Sequence, residues 1–105
     1  MERELVARWC AALRSYNYHQ GGGALRTPGG YGYPPRFCAL GVLANVIDPK
    51  GWVTDSSWKG WVSRLPDDVL PHPIQTRITE LNDRDRLTFH EIADEIEKLA
   101  DGGEL

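Results

Sequence analysis

Apolar residues recur every three or four positions in the first fifteen residues of the chain. They are Leu5, Val6, Trp9, Cys10 and Leu13. Arginines fall largely on the other face, which is the pattern of an amphipathic helix with one buried side. The spacing predicts a helix over 3–15, with Cys10 as a core residue.

The C-terminal segment carries the strongest helical pattern. Thr88 is followed three residues later by Glu91, the spacing of a capping box, and Gly102 offers a stop. Between them runs one apolar stripe, made of Phe89, Ile92, Ala93, Ile96, Leu99 and Ala100. A second amphipathic helix is therefore predicted to follow Thr88.

A nearly continuous apolar run, "CALGVLANVI", occupies the middle of the chain from Cys38 to Ile47, with Asn45 as its one polar residue. A helix that is apolar on almost every side belongs in a protein interior. The following Asp-Pro-Lys-Gly ends it, because proline cannot continue a helix. This run is predicted to be the buried central helix.

The stretch before the central helix, "GGGALRTPGGYGYPPRF", is rich in glycine and proline. Its short runs at 24–27 and 36–38 flank strong turn chemistry and predict a small β-hairpin. It lacks the Gly-Lys-Ser/Thr end of a phosphate loop, and it does not join a strand to a long helix as a dinucleotide fingerprint does. We interpret these glycines as serving backbone geometry.

Residues 52–89 give weaker signals. Trp52, Trp58 and Trp61 are expected to cover the central helix, and the alternative is an exposed aromatic patch that binds a partner. Residues 74–81 have helical spacing, although their threonines also allow a strand. The "LNDRDRLTF" segment at 81–89 is interpreted as a tight turn rather than a metal site.

These elements predict one α+β domain over residues 1–105. It is mainly helical: the central helix is packed by the N- and C-terminal helices, beside a small hairpin. The 105 residues have no apolar stretch near membrane-spanning length, and their start does not resemble a secretory signal. We expect a cytoplasmic protein with two reduced cysteines, no cofactor and no metal, because no Cys or His pair has zinc-site spacing.

Charge is unevenly distributed along the chain. Residues 1–36 carry five arginines and two glutamates, whereas residues 80–105 carry nine acidic and three basic residues. The terminal helix is therefore an acidic face, either simply solvated or a docking surface for a basic partner. Its candidate partner-binding residues are Glu91, Asp94, Glu95 and Glu97. Direct nucleic-acid binding is not expected, because there is no basic cluster.

One catalytic arrangement is conceivable. A thiol at the start of the central helix would have its pKa lowered by the helix dipole, and His90 and Asp83 follow Cys38 in an order that a cysteine hydrolase could use. However, Phe37 and Ala39 give Cys38 core-like neighbours, and His90 falls in the first turn of a helix. A structural cysteine is favoured over a nucleophile.

Four segments together resemble a family of small uncharacterised proteins encoded by phages, prophages and bacteria. The segments are "WCAALRSYNYHQGGGALRT", "FCALGVLANV", "RLPDDV" and "LNDRDRLTFHEIADEIEKL". The family's Cys-x-Leu-Gly-Val-Leu motif falls on 38–43, its Ala-Leu-Arg-Ser on 12–15, its Leu-Asn-Asp on 81–83, and its Phe-x-Glu-Ile-Ala-Asp on 89–94. Many members carry two adjacent cysteines before the Leu-Gly pair, so paired-thiol chemistry is not expected here.

The resemblance implies a phage context and orders the functional hypotheses. The first is a protein–protein interaction module that binds a host protein, such as an anti-CRISPR-like inhibitor of a nucleic-acid-targeting defence. Its contacts would come from the tryptophans and the acidic helix. The alternatives are a cysteine-dependent hydrolase or transferase, and a structural or accessory phage protein.

Overall fold

The computed structural model describes residues 1–52 and 64–105. Within these residues the chain forms four helices and three two-residue strands. The helices are α1 (Arg3–Arg14), α2 (Ala39–Ile47), α3 (His72–Asp83) and α4 (Phe89–Asp101), and the strands are β1 (His19–Gln20), β2 (Arg26–Thr27) and β3 (Arg36–Phe37). The predicted α+β class, mainly helical, is confirmed.

The two terminal helices pack against each other through the apolar faces that their spacing predicted. α1 buries Val6, Trp9, Cys10 and Leu13, and α4 buries Phe89, Ile92, Ala93, Ile96 and Leu99. The capping box is present: Thr88 Oγ1 accepts from the amide of Glu91 at 3.3 Å, and Glu91 Oε1 accepts from the amide of Thr88 at 2.9 Å. Local capping chemistry therefore fixes where α4 begins.

Helix α2 lies in the interior, as its composition predicted. All six residues from Ala39 to Ala44 are buried. The indole N–H of Trp9, on α1, donates to the carbonyl of Ala39 at 2.9 Å. This bond satisfies the polar atom of a fully buried tryptophan, so it fixes α1 against the start of α2.

Asn45, the one polar residue of α2, links two aromatic side chains. Its Nδ2 donates to the Tyr18 hydroxyl at 2.8 Å, and its Oδ1 accepts from the indole N–H of Trp52 at 3.0 Å. Trp52 is half-buried and lies edge-on to Phe37, with 5.9 Å between ring centroids. The expected covering of the central helix thus holds for Trp52, while Trp58 and Trp61 lie outside the described residues.

The predicted hairpin is confirmed, and one strand was not predicted. β2 and β3 pair antiparallel, with Arg26 opposite Phe37 and Thr27 opposite Arg36. β1 adds to the other edge of β3 in parallel, giving the order β1-β3-β2. Cys38 follows β3 directly and forms the N-cap of α2.

Helix α3 resolves the helix-or-strand alternative at 74–81 in favour of a helix. It continues through Asp83, so the tight turn predicted at Asn82 and Asp83 is wrong at those two positions. The reason is that the Asn82 side chain bonds to the backbone of Ala39 and Gly21, which are distant in sequence, instead of to its own backbone neighbours. The chain turns only after the helix ends, where Arg86 adopts a φ of 54°.

None of the helices in the described ranges is both long and apolar enough to cross a lipid bilayer.

Candidate interaction surface

Cys38, the predicted alternative nucleophile, is enclosed by the fold. Its side chain is buried, and its sulfur accepts from the amide of Gly41 at 3.4 Å. Desolvation raises the pKa of the Cys38 thiol to about 11, and this outweighs the lowering effect of the hydrogen bond. The thiol caps a helix and stays protonated at neutral pH.

Asp83, the third residue of the alternative catalytic arrangement, faces the glycine-rich loop. Its Oδ2 accepts from the amide of Gly23 at 3.2 Å, and its Oδ1 accepts from Asn82 Nδ2 at 2.7 Å. A Cβ added at Gly22 would lie 2.6 Å from the same carboxylate. Asp83 therefore holds the loop against the end of α3, and a side chain at Gly22 would have to displace this carboxylate.

Asn82 is the centre of this connection. Its Oδ1 accepts from Gln20 Nε2 at 3.1 Å and from the amide of Ala39 at 3.3 Å, and its Nδ2 also donates to the carbonyl of Gly21 at 2.7 Å. One buried side chain thus joins β1, the glycine loop, α3 and the N-terminus of α2. These polar groups line an open groove of about 560 Å³ and are bonded within the protein.

His90 does not join the other two candidate catalytic residues. Its ring packs on that of Tyr16, with 4.8 Å between centroids, and its Nε2 is buried without a hydrogen-bond partner. Across the described residues, no hydrogen bond connects the Cys38 thiol to His90 or to Asp83. The structure therefore places His90 apart from the other two, whereas Asp83 lies close enough to Cys38 for its charge to contribute to the raised pKa of the thiol.

Four acidic residues of α4 have partners within the molecule. Arg14 on α1 binds Asp94 and Glu97, each at 2.6 Å, and hydrogen bonding to Arg14 holds the pKa of Glu97 below its usual range. Glu95 pairs with Lys98 at 3.1 Å, and Glu91 closes the capping box. Asp94, Glu97 and Glu91 remain exposed, so this face stays a predicted docking surface with part of its charge compensated.

The hairpin presents a surface that the sequence analysis did not select. We call residues 28–35 the tyrosine tip. Within it, Tyr31 is 105% and Tyr33 is 74% exposed; among the large hydrophobic side chains that the structure describes they rank first and third, with Tyr16 between them at 84%. Tyrosine is enriched among the residues that contribute most to protein–protein binding, so two exposed tyrosines on one turn mark a candidate contact surface.

Backbone contacts make the tyrosine tip compact. Gly30 and Tyr33 exchange two backbone hydrogen bonds, of 3.1 and 3.0 Å, across a turn in which Gly32 has a φ of 83°. A Cβ at Gly29 would lie 2.5 Å from the carbonyl oxygen of Tyr33. The two tyrosines therefore project from a closed turn in which glycine is required at specific positions.

Two arginines stand at the base of the tyrosine tip. The Arg26 guanidinium lies over the rings of Phe37 and Trp52, at 5.9 and 5.7 Å from their centroids. Arg36 is exposed, and its Nη1 makes a long 3.5 Å contact with the carbonyl of Gln20. Within the described ranges neither arginine has a carboxylate at ion-pair distance. In the sequence, the feature that could have indicated this surface is Tyr31-Gly32-Tyr33, placed between a glycine and a proline.

Comparisons with known proteins place the chain in a family without assigning it a role. No curated protein and no solved structure matches this chain. A match to a protein family covers residues 1–75, which include α1, all three strands and α2, together with the tyrosine tip. The chain belongs to the family described as domain of unknown function (DUF8296).

Proposed function

We propose that this protein is a protein-binding module that contacts its partner through the tyrosine tip. The observation that carries the proposal is the nearly complete exposure of Tyr31 and Tyr33 on a closed turn. Tyrosine provides a large contact area with few rotatable bonds, so little conformational entropy is lost when it is buried by a partner. A rigid turn lowers that cost further.

The resemblance to phage-encoded proteins suggests which kind of partner to expect. We propose a host protein, and specifically a component of a nucleic-acid-targeting defence that the module would inhibit in the manner of an anti-CRISPR protein. The acidic face of α4 is the second proposed contact surface. A cysteine hydrolase is not proposed, because the buried Cys38 thiol, with its raised pKa, favours a structural role.

Site-specific photo-crosslinking tests the proposal. Benzoylphenylalanine replaces Tyr31 in one sample and Tyr16 in another, and each is irradiated in bacterial host lysate. Tyr16 is a matched control, because it is also a highly exposed tyrosine, at 84%, and it lies outside the tip. We expect a distinct crosslinked protein from Tyr31, identified by mass spectrometry and competed away by unlabelled wild type.

Two competitor variants distinguish the tyrosine tip from the acidic face. The double variant Tyr31→Ala/Tyr33→Ala should fail to compete, while Glu95→Lys should compete as wild type does if the tip dominates. Equal crosslinking from both positions, or full competition by the tip variant, would show that the tip is not the binding surface. Loss of competition by Glu95→Lys alone would assign binding to α4 instead.

A further inference from the structure

The surroundings of the tyrosine tip indicate the chemistry of the surface it would meet. Between Glu4 and Asp48 the chain contains four arginines and no acidic residue. Two of these arginines, Arg26 and Arg36, lie on the paired strands that carry the tip. Arg26 is opposite Phe37 and Arg36 is opposite Thr27, so the two side chains leave opposite faces of the strands, one on each side of the base of the tip. Their charges have no carboxylate partner within the described ranges, unlike that of Arg14, which binds two carboxylates of α4.

We propose that the tyrosine tip and its two arginines bind an acidic segment of a partner protein that passes across the tip, with partner carboxylates paired to Arg26 on one face of the strands and to Arg36 on the other. This inference rests on the proposed function and narrows it. An arginine donates to a carboxylate in a fixed planar geometry, and its pairing with an acidic surface adds specificity and speeds association. Tyr31 and Tyr33 would supply the apolar contact beside those pairs.

Arg26 is prepared for such a contact. Its guanidinium already lies over two aromatic rings, which restrict its position, and no carboxylate of residues 1–52 or 64–105 pairs with it. Less side-chain entropy is then lost when a carboxylate binds than for an arginine extended into water. The aromatic support thus favours a defined anionic contact over a merely solvated charge.

A protein segment fits this surface better than a nucleic acid does. Only two arginines flank the tip, whereas nucleic-acid affinity depends on many phosphate contacts and a broad basic surface. The chain as a whole has a net charge of −3, and its last quarter is strongly acidic. This charge opposes the approach of a long polyanion, whereas a short acidic patch on a protein needs to match only the tip.

An NMR titration tests the inference on the full-length protein labelled with nitrogen-15. The probes are a short synthetic peptide in which glutamate alternates with leucine, its glutamine analogue, and an oligothymidylate of equal length. We expect the glutamate peptide to shift the amide signals of residues 26–37, with little effect from the other two probes. Raising the salt concentration should weaken the binding.

Charge variants link the binding to the two arginines. Arg36→Gln should lower the affinity for the glutamate peptide at least tenfold, and the double variant Arg26→Gln/Arg36→Gln should show no amide shifts. The control variant Arg3→Gln, changed at an exposed arginine far from the tip in sequence, should bind the peptide as wild type does. Unchanged amide signals from α1 and α4 would show that the variants are folded. Arg36 is exposed, so the single variant Arg36→Gln still tests the proposal if the double variant unfolds.

Three results would overturn the inference. They are no shift with the glutamate peptide, equal shifts with the glutamine analogue, and tighter binding of the oligothymidylate. A crosslinked partner whose attached segment is neutral or basic would also overturn it, while leaving the protein-binding function intact. The absence of any Tyr31 crosslink would instead remove the function itself.

Discussion

Replacement of Gly41 by alanine should destabilise the protein strongly, although alanine is the better helix former. Gly41 lies in the first turns of α2, where β2 approaches the helix. A Cβ built at Gly41 would lie 1.6 Å from the carbonyl oxygen of Leu25, whereas ordinary contact begins at 3.4 Å. The obstacle is backbone, so no side-chain rotation relieves it, and α2 or the segment before β2 must retreat by nearly 2 Å.

The magnitude follows from three contributions. Overpacking in a core costs up to about 3 kcal/mol. Moving Leu25 away also weakens the 3.2 Å bond that its carbonyl accepts from the amide of Cys38, at about 1 kcal/mol. Alanine recovers about 1 kcal/mol of helix propensity relative to glycine. The net loss is about 3 kcal/mol, a large share of the stability of a domain of this size.

Urea unfolding followed by circular dichroism measures this loss. Gly102→Ala is the matched control, because it adds the same methyl group where the nearest atom, the carbonyl oxygen of Lys98, is 3.4 Å away. The free energy of unfolding of this control should stay within about 1 kcal/mol of the wild-type value. A Gly41→Ala protein as stable as wild type, or more stable, would contradict the close approach of the Leu25 carbonyl to α2.

Three further changes test the polar network, the buried thiol and the ion pair. Asn82→Ala should lower the free energy of unfolding by about 1–3 kcal/mol, measured in urea, because it removes the partner of the buried Ala39 amide and of two part-buried groups on Gln20 and Gly21; a loss below about 0.5 kcal/mol would contradict this. Cys38, with its pKa raised to about 11, should react with iodoacetamide at pH 8 at least about a hundredfold more slowly in the native protein than in urea, by peptide mass spectrometry, and equal rates would contradict its burial. Arg14→Gln should destabilise by less than about 1 kcal/mol at pH 7. Because Arg14 lowers the pKa of Glu97, the stabilisation by this ion pair is present above the usual glutamate pKa and is lost as pH falls through the lowered pKa. The melting temperatures of wild type and Arg14→Gln should therefore converge in acid, whereas the difference between wild type and the control Arg3→Gln should not depend on pH.

The sequence predicted the helices well where their signals are local. The capping box places Thr88 and Glu91 three residues apart, so the start of α4 can be found without tertiary information. The apolar spacing of α1 and the apolar composition of α2 likewise state which surfaces are buried. These features depend on neighbours along the chain, and the structure agrees with each of them.

Features that depend on distant partners were not predictable in the same way. β1 has two residues, and it exists because it pairs with β3, with the amide of Gly21 donating to the carbonyl of Phe37 at 2.7 Å. Asparagine is a residue type typical of turns, yet the Asn82 side chain hydrogen-bonds to the backbone of Gly21 and Ala39. Residue type favoured a local bond, and tertiary contacts supplied better-placed partners.

The exposure of the tyrosine tip is likewise set by the core. The tip extends from β2 and β3, and Leu25, just before β2, both contacts Gly41 and accepts from the amide of Cys38. The position of Tyr31 relative to the rest of the protein thus depends on residue 41 of α2 being glycine, which has no Cβ. A change at Gly41 should therefore disturb stability and partner binding together, whereas a change at Tyr31, which is fully exposed, should disturb binding alone. This difference separates a residue that positions the surface from one that makes the contact.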